Sequence, residues 1–309
     1  MNYSEYYNQS YEYDFIQSYE YEYNRRYVKD IFKNSTEGWS SFVLTLIGGL
    51  GNFIVFYVFT RQEFLKQSFF RYLLIANIFD SLNGILVMIT IVIMKMSPFY
   101  SSDFVLFGLT IYPLQAFSAW HNVIISMDTY LLVKFPTKFK FRKTLIFQII
   151  ITLIVLIISF LFNLPLFKMI FFKNYSTRSE WILILTFSTI MDLAIPFILM
   201  IIFNSLTFRQ LALMRKRANQ NGLSNAIKLY IIMLVMDFLF LISYLPNRMV
   251  LFLDLNLIFD KCACFKLFYY YSYLLQCAYY FFDFFVYFIS NKLFRKYCLT
   301  LVTCHVCKK

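Results

Sequence analysis

Long runs of apolar residues recur along this chain, separated by short polar and basic stretches. Seven can be read, at Ser40–Thr60, Ser68–Met94, Asp103–Lys134, Thr144–Phe167, Trp181–Met214, Ala226–Leu253 and Lys266–Ser290. Each is long enough to cross a hydrocarbon layer as a helix, which takes about 20 residues. None alternates apolar with polar at a period of two, so helix is predicted over strand. Lipid tolerates only helices or closed barrels, because every backbone polar group must be satisfied internally. The pattern therefore predicts an all-α membrane protein, a seven-transmembrane helix bundle over residues 40–290. A polar tail, 1–39, precedes it. Residues 291–309 follow as a short amphipathic eighth helix and a tail. In that helix Leu293, Phe294, Tyr297 and Cys298 are expected to face lipid, with Lys292, Arg295 and Lys296 toward water.

Composition sharpens the class. The chain has 309 residues, 60% hydrophobic and 15% charged, with a mean hydropathy of +0.60. A soluble domain of this length could not hide so much apolar surface from water, which excludes a soluble enzyme. No nucleophile–base pair or metal-ligand spacing stands out, and the six cysteines form no paired framework. No enzyme activity is expected.

The net charge of +12 would suggest nucleic acid in a soluble protein. Here the basic residues cluster between the apolar runs, at 61–71, 134–143, 209–228 and 292–309, with only Glu63 as an acid among them. Nucleic acid is therefore not an expected partner, and membrane lipids are. Cytoplasmic loops accumulate Lys and Arg, so the N-terminus is expected outside and the tail inside. Four N-x-S/T triplets begin at Asn2, Asn8, Asn34 and Asn174, all on the expected outer side, and are candidate glycosylation sites. The localisation expected is the plasma membrane, multi-pass. Cys298, Cys304 and Cys307 lie beside the last span as candidate palmitoylation sites.

Ionisable groups inside spans are expensive and tend to face a bundle interior. Asp80, Asp128, Asp192, Asp237, Asp283 and Arg248 stand within the apolar runs, as do the polar Asn52, Ser118 and His121. They either glue helices together or form a site.

Their order resembles the rhodopsin-like (class A) family of G-protein-coupled receptors, as a divergent member. The matching residues are Gly51-Asn52 in the first run and Leu73–Asp80 in the second. Asp128-Thr129-Tyr130 stands where the family has Asp-Arg-Tyr, with Pro136 eight residues on. Pro196 marks the fifth run, Phe240-x-x-Ser243-Tyr244-Leu245-Pro246 the sixth, and Asp283-Phe284-Phe285-Val286-Tyr287 the seventh. The likeness spans roughly residues 40–298. The departures are equally specific. Thr129 replaces the family's arginine, Tyr244 its tryptophan and Phe284 its seventh-helix proline. Phe104 stands where the first cysteine of its outer disulfide would be.

The resemblance implies a receptor that binds an extracellular ligand and passes a conformational change to a heterotrimeric G protein. It implies an ion site at Asp80, Ser118 and Asp283 with Asn52 close by, holding sodium or a shared proton. It implies an activation switch at Asp128, Thr129, Tyr130, Tyr244, Pro246 and Tyr287. It implies a ligand site lined by Tyr112, Gln115, Asp192, Asn247, Arg248, Tyr269, Tyr273 and Gln276. Within that site Asp192 and Arg248 either pair with each other or hold an ionic group of the ligand. No retinal is expected, because Cys277 stands where its lysine would be, and Ile111 disfavours an amine. The acidic, tyrosine-rich tail tilts the reading toward a peptide. The alternatives are a seven-helix ion transporter or channel, and a receptor without conventional G-protein coupling.

Overall fold

The computed structural model describes residues 36–96, 112–135, 144–171, 178–217, 223–255 and 263–306. Every long element among them is a helix: α1 (Thr36–Phe59), α2 (Ser68–Met96), α3 (Tyr112–Lys134) and α4 (Leu145–Phe171). α5 comes in three consecutive pieces, Arg178–Thr189, a π turn Ile190–Ala194 and Ile195–Arg217. α6 (Leu223–Leu255), α7 (Ala263–Ser290) and α8 (Lys292–Val306) complete the chain, and one helical turn, Gln62–Leu65, links α1 to α2. Asn2, Asn8, Asn34 and Asn174, Pro136 and Cys307 lie outside the described residues, and of Tyr269 and Cys304 only the backbone is described.

Five of these helices are long and apolar enough to cross a membrane, in α1, α2, α4, α5 and α6. The two halves of α7, Tyr270–Tyr279 and Phe281–Ser290, qualify together as a sixth span bent by 45°. That bend occurs although the sequence of α7 contains neither proline nor glycine. α3 does not qualify by composition among its described residues, against the expectation of seven equivalent apolar runs. Its packing gives the reason. α3 touches α2, α4, α5 and α6, and fourteen of its 23 residues are buried. A helix surrounded by helices can carry Gln115, Ser118, His121, Ser126 and Asp128 inward, where partners replace water.

Around α3 the other helices close a ring, with α1 against α2 and α7, α7 against α6, and α6 against α5. The approach of α1 to α7 is close because Gly51 has no side chain, and a Cβ there would sit 3.1 Å from Phe284 Cβ. The outward faces are apolar. α4 exposes Ile146, Ile149, Ile150, Leu153, Ile157 and Leu161 while burying Gln148, Thr152, Ser159 and Asn163. Polar-in and apolar-out is the reverse of a water-soluble helix, and fits a multi-pass membrane protein.

At the α8 end, aromatic rings fill the interior. Phe59 stands edge-on to Tyr287 at 5.0 Å and to Phe294 at 5.6 Å, and tilted against Phe70 at 5.4 Å. Phe294 and Cys298 are buried in this cluster. The apolar face of α8 thus turns partly onto the bundle, whereas the sequence pattern put both residues toward lipid. Amphipathicity alone gives the same stripe for either surface. Asn291 starts the helix, its Oδ1 accepting from the backbone N–H of Leu293 at 3.0 Å and of Phe294 at 3.1 Å.

Candidate functional site

Three polar layers lie inside the bundle. The layer farthest from α8 joins α3, α5, α6 and α7. Arg248 is 4% exposed, and its Nη2 donates to Gln115 Oε1 at 3.2 Å while its guanidinium lies over the Tyr112 ring at 4.7 Å. Asn247 Nδ2 donates to Gln276 Oε1, tying α6 to α7. Tyr273 is buried one turn before Gln276. Asp192 is buried too, and its Oδ2 accepts from Ser188 Oγ at 2.8 Å. Of the expected ligand-site residues, Tyr112, Gln115 and Arg248 touch one another and Asn247 touches Gln276, whereas Tyr273 packs apart with Val87, Ile91 and Cys277, and the side chain of Tyr269 is not described. Arg248 and Asp192 are near enough to interact electrostatically, but their hydrogen bonds go to Gln115 and Ser188. Arg248 Nη1 and Asp192 Oδ1 are buried with no hydrogen-bond partner among the described residues.

Asp192 owes its place to a backbone irregularity. Pro196 has no N–H, so a regular helix through this point would leave the Asp192 carbonyl unpaired and would clash with the proline ring. The chain widens into the π turn, and the backbone N–H of Ile195 reaches the Ile190 carbonyl five residues back. The next acceptor in that pattern is the Met191 carbonyl, whose donor would be Pro196. Trp120 on α3 takes that role, its Nε1 donating to Met191 O at 3.0 Å. Such turns concentrate at functional sites. The sequence showed the proline, but not the widened turn or the tryptophan that completes it.

The middle layer holds the expected ion-site residues. Ser118 Oγ donates to Asp80 Oδ1 at 2.8 Å. Asp80 and Asp283 line a cavity of about 20 Å³ with Asn77, Asn122, Asp237, Tyr279 and Tyr287. That is room for a water molecule or two. Asn52 and Ser118 do not line it. Both amide atoms of Asn52 and of Asn77, and Asp283 Oδ1, are buried without partners among the described residues. No basic side chain lines the cavity, so carboxylates there need a proton, a cation or water. Among the described residues no three His, Cys, Asp or Glu converge as a metal-ligand set. Any cation would therefore take its remaining oxygens from amides, hydroxyls and water. Directly above sit the rings of the expected hinge, with Tyr244 stacked on Phe240 at 4.5 Å and edge-on to Tyr279 at 5.3 Å.

The layer nearest α8 contains a feature that no sequence motif announces. Asp237 on α6 accepts at Oδ2 from Asn204 Nδ2 of α5 at 2.7 Å and from Ser126 Oγ of α3 at 3.2 Å. Tyr230 Oη, two turns earlier on α6, donates to the Asn204 carbonyl at 2.9 Å. One carboxylate thus clasps three helices. Asp237 was visible as an intramembrane acid, but its partners lie 33 and 111 residues away, and no motif links them. The expected switch residues make quieter contacts. Asp128 Oδ2 accepts from Ser68 Oγ at 3.5 Å, Thr129 Oγ1 bonds back to the Ile125 carbonyl at 2.8 Å, and Lys134 Nζ donates to Tyr130 Oη at 2.7 Å. Tyr287 is buried in the aromatic cluster beside Phe59 and Phe294. Set against known proteins, the chain matches no family model and no curated sequence.

Proposed function

We propose that this chain is a seven-span plasma-membrane receptor, N-terminus outside, which couples an extracellular ligand to a heterotrimeric G protein. α3 is the central span, and the helix after α7 lies along the cytoplasmic surface. The observation that carries the reading is that an outer polar cluster and an inner three-helix clasp are built on the same α3, α5 and α6. A ligand that alters the packing of Arg248, Gln115 and Asp192 acts on the helices that Asp237, Ser126 and Asn204 hold together. The ligand need only favour one packing over the other to shift the population.

Loss of the family's arginine at Thr129 is offset in this reading by the Asp237 clasp, which takes over the closing of the inner face. The cavity at Asp80 and Asp283 lies between the two layers and holds a sodium ion or a shared proton in the closed form. The N-terminal tyrosines and acids favour a peptide. Asn2, Asn8, Asn34 and Asn174 are glycosylation sites on the outer side in this topology.

The test is G-protein nucleotide exchange in cells expressing the full chain, screened with a peptide and small-molecule library, beside recordings of ion flux. A ligand that drives exchange supports the receptor. Flux through the chain with no exchange for any ligand contradicts it and favours a transporter or channel.

A further inference from the structure

The outer cluster holds two opposite charges that do not satisfy each other. Among the described residues Arg248 Nη1 has no acceptor and Asp192 Oδ1 no donor, although each residue is at least nine-tenths buried. The two are near enough to interact electrostatically, yet no hydrogen-bonded pair closes between them. Opposite charges within electrostatic reach but without a direct hydrogen bond offset only part of the cost of burying them. Both groups are also held in place. Tyr112 and Gln115 hold the guanidinium, and its Nη1 is buried without an acceptor among the described residues. Ser188, the π turn and the nearby Asn163 of α4 hold the carboxylate, and its Oδ1 is buried without a hydrogen-bond partner in good geometry among the described residues.

We propose that this pair binds the charged head of a small zwitterion, an amino acid or very short peptide, with its carboxylate on Arg248 and its ammonium on Asp192. The reading rests on the receptor proposal only for its consequence, since binding itself needs no G protein. A fork-shaped guanidinium matches a carboxylate, and a single free carboxylate oxygen matches an ammonium. A ligand with only one charge leaves the other group buried and unpaired. A zwitterion adds no net charge to the site. The Tyr112 ring, already against the guanidinium, gives the ligand's body an aromatic wall.

The test uses the purified full chain and thermal unfolding as the readout. The probes are the twenty common amino acids and a set of dipeptides. For each that stabilises, the matching acid without the amine and amine without the acid are added; for phenylalanine these are 3-phenylpropionate and phenethylamine. At least one zwitterion is expected to raise the midpoint, with each single-charge analogue weaker by roughly tenfold or more. Asp192→Asn and Arg248→Lys should each lower the affinity by a similar factor. The contrast among probes on the unmutated protein stands even where a variant fails to fold. Stabilisation by the acid or the amine alone as strong as by the zwitterion overturns the proposal, as does no stabilisation by any probe. Nucleotide exchange measured on the same preparation separates the two readings: binding without exchange counts against the receptor and leaves the zwitterion site standing.

Discussion

Single side chains decide what the interior can do, and the carboxylates are the most informative. Asp237 accepts two hydrogen bonds from two other helices. A hydrogen bond is worth about 0.5–1.5 kcal/mol net, and breaking these two leaves Ser126 and Asn204 without their partner in the interior. Asp237→Ala is therefore expected to lower the unfolding midpoint of the purified chain and to raise ligand-free nucleotide exchange several-fold. A destabilised protein with unchanged basal exchange would show that the clasp is structural only. Asp80 bears on the middle layer. If a sodium ion occupies the cavity, the unmutated chain should unfold at a higher temperature in sodium chloride than in an equal concentration of potassium chloride. Asp80→Asn should erase that difference. Equal midpoints in both salts for the unmutated chain would end the sodium reading and leave the shared proton. The sequence exposed these acids at once, because a charge in an apolar run is conspicuous. What it hid was their partners. Nothing in the spacing of Ser126, Asn204 and Asp237 announces a clasp, since the contacts depend on the rotation of three helices.

Elements show the same division between what is local and what is not. Pro196 was legible as a disturbance of α5, and the direction of the adjustment was not. Trp120 completes the π turn from another helix, so Trp120→Phe leaves the Met191 carbonyl without its donor at a cost of about 1–3 kcal/mol. Thermal unfolding should register that loss, and Pro196→Ala in the same chain should reduce it by restoring a backbone N–H. A full-sized Trp120→Phe effect that Pro196→Ala leaves unchanged would contradict this account of the turn. α8 offers a second check. Burial pushes the Cys298 thiol from 9.0 up to about 11. The folded form thus holds this thiol protonated. Its contribution to stability is complete below the unfolded value near 9 and declines as the pH rises toward 11. In a variant keeping only Cys298, maleimide should label the folded protein far more slowly at neutral pH than the denatured one. Equal rates would put the thiol in the open, where acylation is easy. The hydrophobic stripe of α8 was readable, but a stripe cannot say whether lipid or a neighbouring helix covers it. Phe59, Phe70, Tyr287 and Phe294 supply the answer by closing into one aromatic cluster.

At the scale of the whole molecule, the run-by-run reading gave an all-helical, membrane-type architecture, because apolar length is a property of contiguous residues. It treated α3 as one more apolar run. The ring around α3 explains the difference, since a central helix meets protein on all sides and is free to be polar. The same arrangement lets the bundle keep Arg248, Asp192, Asp80, Asp283 and Asp237 buried. Central to the account is that all seven long helices cross the membrane, α3 included. Epitope tags at the two termini of the full chain, stained in intact and in permeabilised cells, test this most directly. The account predicts that the N-terminal tag stains in intact cells and the C-terminal tag only after permeabilisation. Staining of both tags in intact cells, or of neither, would mean an even number of crossings and would contradict it.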